Sequence, residues 1–148
     1  MSRPFKAEEA ENLEDIEKQF AVKAVMQAQT YWGLLEKIEG SKLRLTKYDN
    51  EIYEHLLKDF PEFSDPSFAT TINEDEMKSV KGKDRWRKFM NVYEEQVDDY
   101  NFGTLLRVNS NGEYDEANTI FVPRMQFYAY EIFRNRHGLN DWIKNNSA

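Results

Sequence analysis

The chain has no cysteine, which excludes disulfides, thiolate zinc sites and cysteine nucleophiles at once. Its six glycines are scattered, with no Gly-x-Gly pair and no Gly-Lys-Ser/Thr. Neither a Rossmann turn nor a P-loop can be built from them, so nucleotide binding is not expected. Histidine is limited to His55 and His137, which lie on different expected elements without metal-ligand spacing. Each is read as a cap contact at or near a helix end. No stretch approaches the roughly 20 apolar residues that span a bilayer, and nothing apolar follows Met1-Ser-Arg-Pro as a leader would require. The expectation is a soluble, cytoplasmic protein without metal or cofactor. Positive charge is also short, with 20 Lys and Arg against 27 Asp and Glu and a net charge of −7. Phosphate backbones are bound chiefly through Lys and Arg, so nucleic acid is not an expected ligand. A basic protein partner suits the whole molecule better.

What is present argues for a packed globule despite a mean hydropathy of −0.83. Hydrophobic residues make up 40% of the 148 and aromatics 14%, with ten Phe. A domain of this length buries roughly 68–70% of the surface its unfolded chain exposes. The reading is one domain over 1–148, with residues 1–8 loose, of α+β class but mostly α. It has about four to five helices and a small antiparallel β-hairpin before the last long helix.

Leu13, Ile16, Phe20, Ala24, Ala28, Tyr31, Leu35 and Ile38 recur at helical spacing, the pattern of one long amphipathic helix. Acids crowd its start, where the helix dipole favours them, and Gly40 is placed to end it in a left-handed conformation. Gly33 interrupts the pattern, which suits close packing. Val22 and Met26 lie off the stripe and either meet another element or form an exposed apolar spot, cover being the favoured outcome. Ser41–Thr46 reads as a short extended segment. Thr46 and Asp49 then form an N-cap pair opening a helix through Tyr48, Ile52, Leu56 and Phe60 that Pro61 closes. Asn73–Met77 reads as a capped turn, separated by Gly82 from a helix carrying Trp86, Phe89, Met90, Tyr93, Val97 and Tyr100 and stopping at Asn101-Phe-Gly103. Thr104–Val108 and Asn118–Val122 flank Asn111-Gly112 as a hairpin with a longer loop. Pro123 suits the first position of the last long helix, and Gly138 ends it with Leu139 packing back.

The acid runs Glu74-Asp75-Glu76, Glu94-Glu95 and Asp98-Asp99 do not supply the convergent pair that glycoside chemistry needs; they read as solvated helix surface. The arginines of the last helix carry more information. A step of about 100° per residue puts Met125, Ala129, Ile132 and Arg136 on one side and Arg134 between Phe127 and Tyr130 on the other. Both compete with apolar packing, and a partly buried guanidinium requires a carboxylate or carbonyl. One reading is an internal bridge, with Asp98 and Asp99 as candidate acids; the other is an interface anchor. Arg87, in a polar ribbon with Asn91, Glu94 and Asp98, pairs along its helix or meets a partner protein.

Leu43-Arg-Leu-Thr-Lys-Tyr-Asp-Asn-Glu-Ile-Tyr53, Arg85-Trp-Arg-Lys-Phe89, Asp99-Tyr-Asn-Phe-Gly-Thr-Leu-Leu-Arg107, Asn118-Thr-Ile-Phe, Gln126-Phe and Glu131-Ile-Phe-Arg-Asn-Arg-His-Gly-Leu-Asn140 together resemble the polysaccharide biosynthesis domain-containing protein family of eukaryotes. The fungal form is especially similar, and the match runs from about Leu13 to Trp142. The resemblance implies a ribosome-associated chaperone dedicated to translation elongation factor 1-alpha. Such a protein would engage the nascent or nucleotide-free GTPase domain and release it on folding and GTP binding. It would meet the ribosome through the nascent chain or the nascent polypeptide-associated complex, not through RNA. Carried onto this sequence, the resemblance makes Arg87 of the Trp-Arg motif the leading partner contact, with Arg124, Arg134, Asn135 and Arg136 beside it, and no catalytic residue. The alternatives are an enzyme or accessory factor in polysaccharide biosynthesis, suggested by the family label, and a general adaptor.

Overall fold

Local capping chemistry marks the starts of two helices and the end of a third. In the computed structural model, the backbone of residues 7–146 and the side chains of residues 20–146 are described. The side chains of the stripe positions Leu13 and Ile16, and residues 1–6 of the loose segment expected at 1–8, lie outside what is described. Ala7 and Glu8 already belong to the first helix, α1 (Ala7–Lys37). It is followed by α2 (Asp49–Asp59), the single turns α3 (Ser67–Thr70) and α4 (Glu74–Met77), and α5 (Val80–Asn91). Strands β1 (Gly103–Arg107) and β2 (Thr119–Pro123) then precede α6 (Arg124–Arg136) and α7 (Asp141–Asn146). The α+β class, mostly α with an antiparallel hairpin before the last long helix, is as expected.

At the start of α2, Asp49 accepts from the backbone N–H of Leu45 and Thr46 at 2.8 and 2.7 Å, and from the Thr46 hydroxyl at 2.7 Å. These bonds tie the preceding segment to the first residue of α2, but the residue at the N-cap is Tyr48, with no side-chain cap bond, instead of the expected Thr46. Asn73 caps α4 by accepting from Glu76 N–H, and Ser79 caps α5 by accepting from Gly82 N–H. At the far end of α6, Gly138 takes φ +70°. Leu139 N–H then reaches the Arg134 carbonyl at 2.8 Å and Gly138 N–H the Asn135 carbonyl at 3.1 Å, the paired bonds of a Schellman stop.

Helix α6 is the centre of the molecule. Every residue from Met125 to Asn135 is buried except Tyr128, and the helix touches α2, α3, α5, both strands and the turn at Gly40–Lys42. The hairpin pairs Gly103 with Pro123 through to Arg107 with Thr119. Segment 70–72 extends it on one side, with Ile72 N–H on the Val108 carbonyl and Ser110 N–H on the Thr70 carbonyl, a third partial strand that no sequence pattern announced. Helix α1 lies across β1 and α7.

Four local expectations are corrected. Gly40 does not end α1 in a left-handed turn, since Gly138 is the positive-φ glycine among the described residues; Gly40 opens a 3-10 turn, Gly40–Lys42, that takes in the first two residues of the extended segment expected at Ser41–Thr46. Gly33 has nothing within 4 Å of where a Cβ would lie, so it serves no close packing. The helix through Trp86 stops at Asn91 instead of reaching Tyr100. The acids Glu94, Glu95, Asp98 and Asp99 would sit at its negative C-terminal end, and Asp99 takes φ 55°, so residues 92–101 proceed as turns that still bury Tyr93 and Val97. Gly82 does not separate α4 from α5 but lies inside α5, pressed against the end of α4: a Cβ there would collide with the Glu76 carbonyl and stand 2.8 Å from that of Met77. Helix propensity favours alanine over glycine by about 1 kcal/mol. The clash should outweigh that, so Gly82→Ala is expected to destabilise by a net ~1–3 kcal/mol in urea unfolding.

Candidate partner-binding site

The polar groups buried at the heart of the molecule form one ionic cluster. Glu131, Arg107, Arg134 and Asn140 are each 0% exposed. Glu131 accepts from Arg134 at 3.0 Å, from the Tyr31 hydroxyl at 2.8 Å and from Asn140 at 3.1 Å, with Arg107 at 3.4 Å. Burial alone would push its carboxyl up, but the two guanidinium charges and the hydrogen bonds from Tyr31 and Arg134 hold it below the usual range. Burial, reinforced by the Glu131 charge, drives the Tyr31 hydroxyl in the opposite direction, well above its ordinary value. Arg107 also donates to the Ser110 and Gly112 carbonyls at 2.8 and 3.1 Å. Arg134 donates to those of Ala69, Arg107 and Val108 at 2.8, 2.8 and 3.2 Å. These bonds staple the hairpin and segment 69–70 to α6.

That geometry sorts the expected partner contacts. Arg134 and Asn135 are inside the protein, 0% and 2% exposed, and their polar groups are committed to internal partners. They position backbone and do not reach a partner's surface in this fold. The bridging acid is Glu131, not Asp98 or Asp99. Arg136 is exposed, bonded to Asn50 and lying 5.0 Å over the Tyr53 ring. Arg124 is half-buried, 3.8 Å from Asp99 and 5.4 Å over Phe102. Arg87 is also exposed, its side chain 64% open and held by a 3.9 Å approach to Asp84 instead of the expected Asn91 or Glu94.

The structure therefore does not bring the five together. Arg107 and Glu131 escaped the sequence reading, although Tyr-Ala-Tyr-Glu131-Ile-Phe-Arg134 carried a signal: an acid and an arginine three apart inside an aromatic run. His55 is mid-helix, not at a helix end, and contacts Tyr93 and Asp59 at 2.9 and 2.7 Å. His137 does sit at the C-cap of α6 and contacts the Tyr53 hydroxyl. Among the described residues, no three His, Asp or Glu side chains gather into a metal-holding group, and no helix is long and apolar enough to cross a membrane.

Two open grooves accompany this interior. One, of about 290 Å³, runs between α5 and β2, floored by Trp86, Met90 and Val122 and edged by Arg87, Lys78 and Lys83. Phe121 also lines it, 57% exposed. The other, of about 560 Å³, lies between α1 and the hairpin loop. Next to it Val22 and Met26, expected under cover, are 55% and 59% exposed.

Residues 16–145 match the PBDC1 protein family. The chain belongs to that family. This is the polysaccharide biosynthesis domain-containing family that the motifs resembled. The chain is 65% identical to "Protein PBDC1 homolog" of Schizosaccharomyces pombe, over 97% of its own length and 98% of the relative's. It is 58% identical to the homolog of Saccharomyces cerevisiae, over 94% and 95%. With the human "Protein PBDC1" the identity is 40% over 90% of the chain, which spans 56% of that longer protein. The solution NMR structure of protein yst0336 from Saccharomyces cerevisiae has the same fold, with a TM-score of 0.85 at 57% identity over 96% of this chain and 97% of that one.

Proposed function

We propose that the chain is a client-binding chaperone for the GTPase domain of translation elongation factor 1-alpha, acting without catalysis and docking through the α5–β2 groove. The observation that carries the docking site is Arg87, a well-exposed guanidinium lining an apolar groove that Lys78 and Lys83 also line. Arginine beside buried aromatic surface is the composition of an interface anchor, and three local cations select an acidic patch next to apolar side chains. The net charge of −7 acts at longer range and steers a client of opposite overall charge towards the molecule. The named client comes from the family resemblance, and recruitment to the ribosome through the nascent chain or the nascent polypeptide-associated complex belongs to the same proposal.

The reading is tested by titrating the protein into the elongation factor's GTPase domain, nucleotide-free and then saturated with GTP, by calorimetry. Binding confined to the empty domain is expected; absence of binding in both states overturns the client assignment. Arg87→Glu should weaken that binding by about thirtyfold, the effect of an anchor contributing ~2 kcal/mol. Its melting temperature should not move, because the 3.9 Å pair with Asp84 is exposed. Unchanged affinity would remove the groove from the proposal.

A further inference from the structure

We infer that the second groove, between α1 and the hairpin loop, is a separate docking site for a basic, amphipathic segment of another protein. It shares only strand β2 with the Arg87 groove, through Thr119 here and Phe121, Val122 and Pro123 there, and its chemistry is reversed. Trp32 and Leu105 give it an apolar interior. Its rim is the loop sequence Glu113-Tyr-Asp-Glu116, in which Glu113, Asp115 and Glu116 are exposed, and among the described residues none of these acids forms an ion pair. An apolar slot with an unneutralised acidic edge is complementary to apolar side chains flanked by lysine or arginine. It repels phosphate backbones and anionic lipid surfaces alike.

The floor is built of mutually packed rings, which favours binding by limiting what must be ordered on association. Trp32 meets Tyr114 edge-on at 6.0 Å and Trp142 at 6.1 Å. Beneath them the Arg107 guanidinium lies 5.5 Å from the Trp32 ring and 5.7 Å from that of Tyr114, tying the slot to the buried ionic cluster. The apolar surface also continues along the helix. Val22, Val25, Met26 and Gln29 are spaced three, four and seven apart and so share one face. Val25 and Gln29 line the groove, which places the exposed Val22 and Met26 at its mouth. An occupying segment thus has a strip of α1 to lie along as well as a slot for one large side chain.

The test uses an 18-residue peptide of lysine and leucine patterned as an amphipathic helix, labelled with fluorescein, and a counterpart with glutamate in place of lysine. Anisotropy should show saturable binding of the lysine peptide to the full chain and none of the glutamate peptide. Glu113→Lys combined with Glu116→Lys should weaken it about tenfold with an unchanged melting temperature. Asp115 is left intact because it caps the turn at 116–118 by accepting from Asn118 N–H. Val25→Asp, at a residue 45% exposed, should weaken binding independently, whereas Arg87→Glu should leave it unaltered. Absence of binding, equal binding of the two peptides, or equal affinity of the doubly reversed variant would each overturn the inference. So would sedimentation showing that a second copy of the chain fills the groove. Loss of elongation-factor binding on Arg87→Glu reports only on the other groove, so the two assignments fail separately.

Discussion

Glu131→Gln is expected to cost about 3–5 kcal/mol of stability at neutral pH, because it leaves the Arg107 and Arg134 guanidinium groups facing a neutral amide in the dry centre of the protein. All three side chains are 0% exposed, so water cannot replace the lost charge. The folded carboxyl titrates below its ordinary range, and this sets the sign of the pH dependence. A depressed folded value means that the contribution is present above the unfolded carboxylate range, about pH 4.3, and disappears as pH falls through the folded value. The gap between the native chain and Glu131→Gln should therefore be widest near neutrality and narrow in acid, as read from urea unfolding at successive pH values. A constant gap would show that the loss comes from shape and hydrogen bonding, not from charge. The loosened elements should be the hairpin and segment 69–70, whose carbonyls the two arginines hold.

Trp86→Ala should cost a similar ~3–5 kcal/mol, the range for removing a large aromatic from a close-packed core. Trp86 is 5% exposed, stacks on Phe60 at 4.3 Å and on Tyr130 at 5.5 Å, and meets Phe89 edge-on at 5.7 Å. The neighbouring position is the useful contrast. One residue along the same helix, Arg87 points outward, and its replacement is expected to change binding but not folding. If Trp86→Ala weakens client binding in proportion to the unfolded fraction alone, the tryptophan is core. A larger loss would mean that its groove-facing edge also touches the client.

These two adjacent residues show how far the sequence could be read. Trp86 belongs to a three-and-four spacing with Phe89, Met90 and Tyr93, and burial followed from that alone. The same spacing overran the end of α5, because Tyr93 and Val97 are buried by turns that happen to return them to the core. Caps were legible where a short polar side chain stands beside the backbone it satisfies, as at Asn73, and where a glycine can take a positive φ, as at Gly138. The role of Arg134 was half legible. Its burial made an internal partner necessary, but that partner lies one turn away on its own helix and in carbonyls of residues 69, 107 and 108. Arg107 gave less warning, since strand alternation groups it with the half-buried Leu105, away from the core-facing Leu106.

Periodicity, caps and composition by themselves determined an α+β chain, its central last helix, its hairpin and the family motifs, because each depends on residues within a few positions of one another. Tertiary structure decided which arginines are structural and which are exposed, why Gly40 and Gly82 admit no side chain, and where two grooves of opposite charge open. Those outcomes depend on groups far apart in sequence, such as Tyr31 and Glu131 at a separation of 100. A guanidinium has the same sequence signature on a surface as in a core, and only the desolvation and partners supplied by the folded chain tell them apart.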